Sequence, residues 1–348
     1  MLVERIEAKW IEAFAQVFRL CGVGPGDDCA VLAETQSRLI NVELSELALR
    51  RLGANVFRIT MQTPEQTAPV AIRSTGASDA IAGSVPVIAA LSQATLIADC
   101  TVEGLLHAPE LPALLGSGAR VLMVSNEHPD ILERLVPDPE LEAKVKIGTK
   151  MLRAATEMRV TSAAGTDLTI DIENAPAGSS WGYTARPGTI AHWPGGLCLC
   201  FPASGSVNGT LVMDVGDVNL TFKRYTDSPI RCTIEDDFIV DIEGDGVDAR
   251  LMQSYLEAWG DREAYAVSHV GWGMNPAARW DSLAMYDKLH TNGTELRAFG
   301  GNFLYSTGAN EVAGRHTLGH FDLPMRGCTV SLDGTDVVTH GILQGELA

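Results

Sequence analysis

The hydrophobic pattern changes period near residue 157, and this change divides what the chain can fold into. Before it, strand-like runs alternate with helical ones. The predicted order is a helix over 4–20, strand 29–34, helix 37–51, strand 55–61, helix 78–93 with Pro86 as its weak point, then strands 95–101 and 120–125. Acidic, helical sequence follows to about Ala155. Such alternation predicts an open, largely parallel sheet. After Met158 the segments MRVTS, DLTIDIE, LCLCFP, GTLVMDVGD, IRCTIEDDFIVDIEG and CTVSLDGTDVV read as strands or hairpins. Turns rich in Gly, Asp and Asn separate them, and one helix over 248–259 interrupts them. The expected fold is therefore α/β: an N-terminal domain over 1–156 with an open, largely parallel sheet, and a C-terminal antiparallel-rich α+β domain over 157–348. A chain of 348 residues suits two domains.

The formal net charge of -18 argues against nucleic acid and anionic membrane surfaces as partners. Seven cysteines without a CxxC pair suggest buried, reduced thiols and a cytoplasmic protein rather than a Cys-rich metal site. The N-terminal sequence lacks the basic start and apolar core of a signal peptide, and no apolar run approaches the ~20 residues that span a bilayer. GVGPGDD precedes its strand rather than following it, which discounts a dinucleotide or ATP loop.

Residues i and i+2 of a strand point to one face, so His320 and Asp322 in RHTLGHFDLPMRG would converge while Phe321 turns to the core. Imidazole and carboxylate so placed suit a divalent metal; the alternative is an ordinary polar pair. His316, four residues before His320, lacks the Glu of a zincin helix and reads as a loop residue. His269, at a strand end before a Gly-rich stretch, is either a third ligand or a hydrogen-bonded core histidine. His192 lies in a Pro- and Gly-rich loop beside Trp193, and His107 follows a strand end, where open sheets gather ligands. His128 and His290 read as solvated turn residues; His340 is given no role.

The stretches GLLHAPE (104–110), WGYTARPGTIAHWPGG (181–196), GTLVMDVGD (209–217), VSHVGWGMNPAARW (267–280), RAFGGNFLYSTGAN (297–310) and GHFDLPMRGC (319–328) carry a resemblance over nearly the whole chain. The sequence resembles the 2,5-dihydroxypyridine 5,6-dioxygenases, ring-cleaving enzymes of nicotinate degradation that share a fold with the thermophilic-type (M29) aminopeptidases. The resemblance implies one Fe(II) held by His269, His320 and Asp322, with His107 and His192 holding substrate and moving protons. It implies 2,5-dihydroxypyridine and O2 as partners, N-formylmaleamic acid as product, and assembly into a homo-oligomer. On this reading His107 is the base and His192 orients the substrate, or the reverse. Tyr183 and Arg297 are expected to contact the ring or its oxygens, Arg297 being equally placed for a salt bridge. Trp272 would wall the pocket.

The two-metal aminopeptidase branch needs further glutamates, and GSSWGY (178–183) has no carboxylate. The rival readings are a Zn²⁺ or Co²⁺ aminopeptidase or amidase, a dioxygenase for another hydroxylated ring, and a non-catalytic binding protein.

Overall fold

The computed structural model describes residues 5–66, 69–70 and 77–348. The strands Asp28–Glu34, Asn55–Met61, Leu96–Asp99 and Arg120–Val124 form a parallel sheet. In Asp28–Glu34, Cys29, Val31 and Ala33 pack to one side, with the helices Ala8–Leu20 and Leu39–Arg51. Ala30 and Leu32 pack to the other, with Val85–Leu91 and Leu111–Gly116. A strand covered on both faces needs a continuous apolar run, which is what the sequence carries there.

The sheet takes its fifth strand, Ile190–Trp193, from beyond residue 156; it lies parallel to Arg120–Val124 at the sheet edge. The remaining strands form antiparallel sheets. An eight-stranded sheet runs from Phe238–Glu243 to Ile342–Leu343. In Glu157–Thr161 and Asp167–Asp171 buried residues alternate with exposed ones, the mark of a sheet with one covered face. A five-stranded sheet has the order Arg315–Met325, Phe303–Asn310, Val267–Gly273, Leu197–Cys200, Ala177–Ser180. The largest core unites residues of both sheets, including Val160, Leu168, Leu211, Val270, Trp272, Phe303 and Phe321, with the helices Pro139–Ala154 and Val247–Ala258.

Three expectations change. The helix predicted over 78–93 is only Val85–Leu91, with Pro86 in its first turn, where the missing N–H costs nothing. The helix predicted over 4–20 begins at Ala8, and Glu4 lies outside the described residues. His316 is exposed on the strand Arg315–Met325 rather than in a loop. No helix among the described residues is long and apolar enough to cross a membrane. All seven cysteines are buried and free of disulfides.

Candidate active site

Three neighbouring strands at one side of the five-stranded sheet, Arg315–Met325 at its edge, Phe303–Asn310 and Val267–Gly273, gather the candidate residues. Register sets Ser306 opposite both His269 and Asp322, and Gly308 opposite His320. Alternation then sends His320 and Asp322 to one face and buries Phe321 in the core, where its ring meets Tyr255 edge-on at 5.3 Å. Asp322 Oδ1 lies 3.2 Å from His320 Nε2 and 3.8 Å from His269 Nε2. The two imidazole rings stack 5.7 Å apart.

Asp322 is 4 % exposed. Its Oδ1 accepts from the Ser306 hydroxyl, and its Oδ2 accepts from Arg297 Nε at 2.5 Å. Burial alone would raise this carboxyl, but the charges of Arg297, His320 and His269 outweigh it and hold it well below the usual carboxylate range. Arg297 sits in the last turn of the helix Thr294–Ala298, which lies directly on the His269 strand. Gly273 makes that approach possible: a Cβ there would stand 2.3 Å from the Phe299 carbonyl oxygen.

His192 is the last residue but one of the fifth parallel strand. Its Nδ1 lies 2.7 Å from the Pro194 carbonyl oxygen, which can only accept, so Nδ1 carries the proton and Nε2 keeps its lone pair. Burial lowers its pKa below 6.5, and the nearby Arg297 charge lowers it further. His107 is exposed, yet set among enough protein that burial lowers its basicity, aided by the charge of His320. The charges of Glu311 and Asp322 pull its basicity the other way.

The turn that carries His107 is anchored by two carboxylates at strand ends. Asp99 accepts from the Thr101 N–H and hydroxyl with Oδ1 and from the Leu105 N–H with Oδ2. Burial pushes Asp99 up to about 6, against the pull of those donors. Glu34 accepts from the Ser78 hydroxyl and the Val102 N–H. These two strands flank the point where the strand order reverses, the usual ligand crevice of an open parallel sheet. Here the His107 turn is tied down at that point.

The structure thus brings His269, Arg297, His320 and Asp322 into contact, and the charges of this group act on His107 and His192. Tyr183 is not among them, correcting the expected ring contact. Its ring packs in the core of the parallel sheet beside Trp181, and its hydroxyl donates to Glu142, which also pairs with Lys146. Trp272 points into the main core rather than toward this group. His128 and His290 are partly buried and pack ring to ring at 5.1 Å instead of standing in solvent. Ser268 and Ser306, which touch His269 and Asp322, were invisible in the sequence, because a serine in a strand carries no pattern of its own.

Two imidazoles and a carboxylate on one face are a donor set for a divalent transition metal. Donors at adjacent positions, with bonds of about 2.1 Å, stand about 3 Å apart. The 3.2 Å separation meets this and the 3.8 Å separation is slightly long. Among the described residues no three His, Cys, Asp or Glu groups already stand in cation-site geometry. A movement of about 1 Å by the His269 ring would bring its Nε2 to that spacing from Asp322 Oδ1. The chemistry of the donor set therefore fits one divalent metal ion.

The fold is that of the M29 aminopeptidases: AmpT from Thermus thermophilus superposes with a TM-score of 0.59 over 97% of this chain and 99% of its own, at 13% identity. Within that architecture the comparisons are specific. A family model described as 2,5-dihydroxypyridine 5,6-dioxygenase matches residues 9–345, and the chain belongs to that family of oxidoreductases. The 2,5-dihydroxypyridine 5,6-dioxygenase of Pseudomonas putida is 35% identical over 340 residues, covering 96% of this chain and 95% of the relative. The solved structure of 2,5-dihydroxypyridine dioxygenase from Pseudomonas putida KT2440 gives a TM-score of 0.92 at 33% identity, over 99% of this chain and 100% of that one.

Proposed function

We propose that this enzyme opens the ring of 2,5-dihydroxypyridine with O2 to give N-formylmaleamic acid, using one Fe(II) held by His269, His320 and Asp322. The observation that carries the reading is the convergence of both imidazole Nε2 atoms on Asp322 Oδ1 in a chain of this family. Bound there, Fe(II) would supply open coordination positions for a ring oxygen and for O2.

The protein's own part is proton movement and orientation. His107, its basicity lowered by burial and by His320, is neutral near pH 7 and can take the proton of a ring hydroxyl. Losing that proton makes the ring more electron-rich and its oxygen a better ligand. His192, its Nδ1–H fixed on Pro194, offers Nε2 as an acceptor that orients the second hydroxyl. Arg297 fixes Asp322 and keeps positive charge beside His192. Both oxygen atoms of O2 enter the product, so no outside reductant is needed.

The hydrolase reading has less support, because the strand Ala177–Ser180 and the residues after it to Tyr183 offer no carboxylate for a second metal. The deciding experiment is O2 uptake by protein loaded anaerobically with Fe(II), with 2,5-dihydroxypyridine as substrate. One O2 consumed per ring lost is expected; no uptake from iron-loaded protein would defeat the proposal.

A further inference from the structure

The His269 strand and its neighbour each carry an irregularity at the same level. The register between Val267–Gly273 and Phe303–Asn310 shifts between Val267 and His269, so Ser268 is extra. The register between Phe303–Asn310 and Arg315–Met325 shifts between Gly308 and Asn310, where Ala309 alone stands against residues 316–319 of the partner strand. Bulges re-aim side chains and leave backbone groups outside the ladder. Ser268, 3 % exposed, joins the two: its hydroxyl lies 2.6 Å from the Ala309 carbonyl oxygen and 3.1 Å from His269 Nδ1.

A carbonyl oxygen can only accept, so the single hydroxyl proton of Ser268 lies on the bond to Ala309. The contact to His269 then holds only if Nδ1 bears a hydrogen. We propose that Ser268 is a positioning residue that fixes His269 as the Nδ1–H tautomer and turns its Nε2 lone pair toward Asp322 and His320. A metal-binding histidine needs its free nitrogen chosen and aimed in this way, and the partner of its other nitrogen commonly does so. The role in metal binding rests on the reading of His269 as a ligand; the tautomer does not.

Nitrogen-15 NMR of histidine-labelled, metal-free protein at pH 8 tests the tautomer directly, with His269→Gln assigning the signal. Wild type should show the proton on Nδ1, and Ser268→Ala should lose that preference. Co(II) affinity, measured by competition with a chelating dye, should fall about 10–100-fold in Ser268→Ala and recover in Ser268→Thr, which keeps the hydroxyl. A proton on Nε2 in wild type overturns the proposal. So does an unchanged tautomer with unchanged Co(II) affinity in Ser268→Ala. A wild type that binds no metal, yet shows the Nδ1–H form that Ser268→Ala abolishes, supports the role of Ser268 and defeats the Fe(II) reading instead.

Discussion

Asp322 has an acceptor oxygen for each of two tasks. Oδ2 is held by Arg297, while Oδ1, steadied by Ser306, faces both imidazoles. Removing His320 should therefore abolish both iron binding and turnover. His107→Ala should keep stoichiometric iron while turnover falls by a factor of about 10² or more; metal analysis and rate measurements on the two variants separate the roles. The pH dependence follows from the histidines. His107 and His192 are both lowered from 6.5, so the folded protein holds them neutral. Their contribution to stability is present above their unfolded value and is lost as pH falls below it, through the folded values. The acid limb of kcat/KM should accordingly lie below pH 6.5, and Arg297→Met should move it upward by removing a positive charge beside His192. A limb unmoved by that substitution would remove His192 from the titration. At this scale the sequence was informative where a spacing carried geometry: His320 and Asp322 follow from i, i+2 alternation. Tyr183 was misplaced because an aromatic beside a Gly-rich loop looks the same whether it faces a ligand or a core.

Among the elements, the short turn after Leu96–Asp99 decides where His107 sits. Asp99 accepts three hydrogen bonds from that turn, and Gly104, at φ +82, lies against Met123, whose sulfur would be 1.9 Å from an added Cβ. Asp99→Ala leaves buried N–H groups without a partner and should cost about 3 kcal/mol in urea unfolding. It should also speed amide exchange over 101–107 and lower turnover, with iron retained. Full turnover in this variant would show that His107 is placed by other contacts. The strand before this turn was legible as a buried apolar run. The carboxylate anchor was not, because a strand-end Asp reads equally well as a solvated turn residue. The bulge at Ser268 was equally hidden: one extra residue in a strand leaves the alternating pattern on either side intact.

For the whole molecule, the parallel sheet and the His269 sheet are tied by Glu127. This fully buried carboxylate follows Arg120–Val124 and accepts from the N–H groups of Asn292, Gly293 and Thr294, at the start of the helix that carries Arg297. Ser125 and Thr294 add a hydroxyl contact at 2.8 Å. Glu127→Ala should destabilise the protein by about 3–5 kcal/mol and separate calorimetric melting into two transitions; one unchanged transition would show that other contacts couple the sheets. The change from alternating to strand-only texture foretold two kinds of sheet. It did not foretell that Ile190–Trp193 crosses back, since a four-residue strand carries too little pattern to declare its neighbours. That crossing has a practical consequence for anyone dividing the chain. A fragment ending at residue 156 would leave the Arg120–Val124 strand with a bare hydrogen-bonding edge, open to recruit another copy in place of the missing segment. A fragment starting at 157 would carry an orphan strand and His192 with no sheet to hold it. The two halves are laced together like a garment whose last stitch returns to the first panel, and they are expected to be made, folded and inherited as one piece.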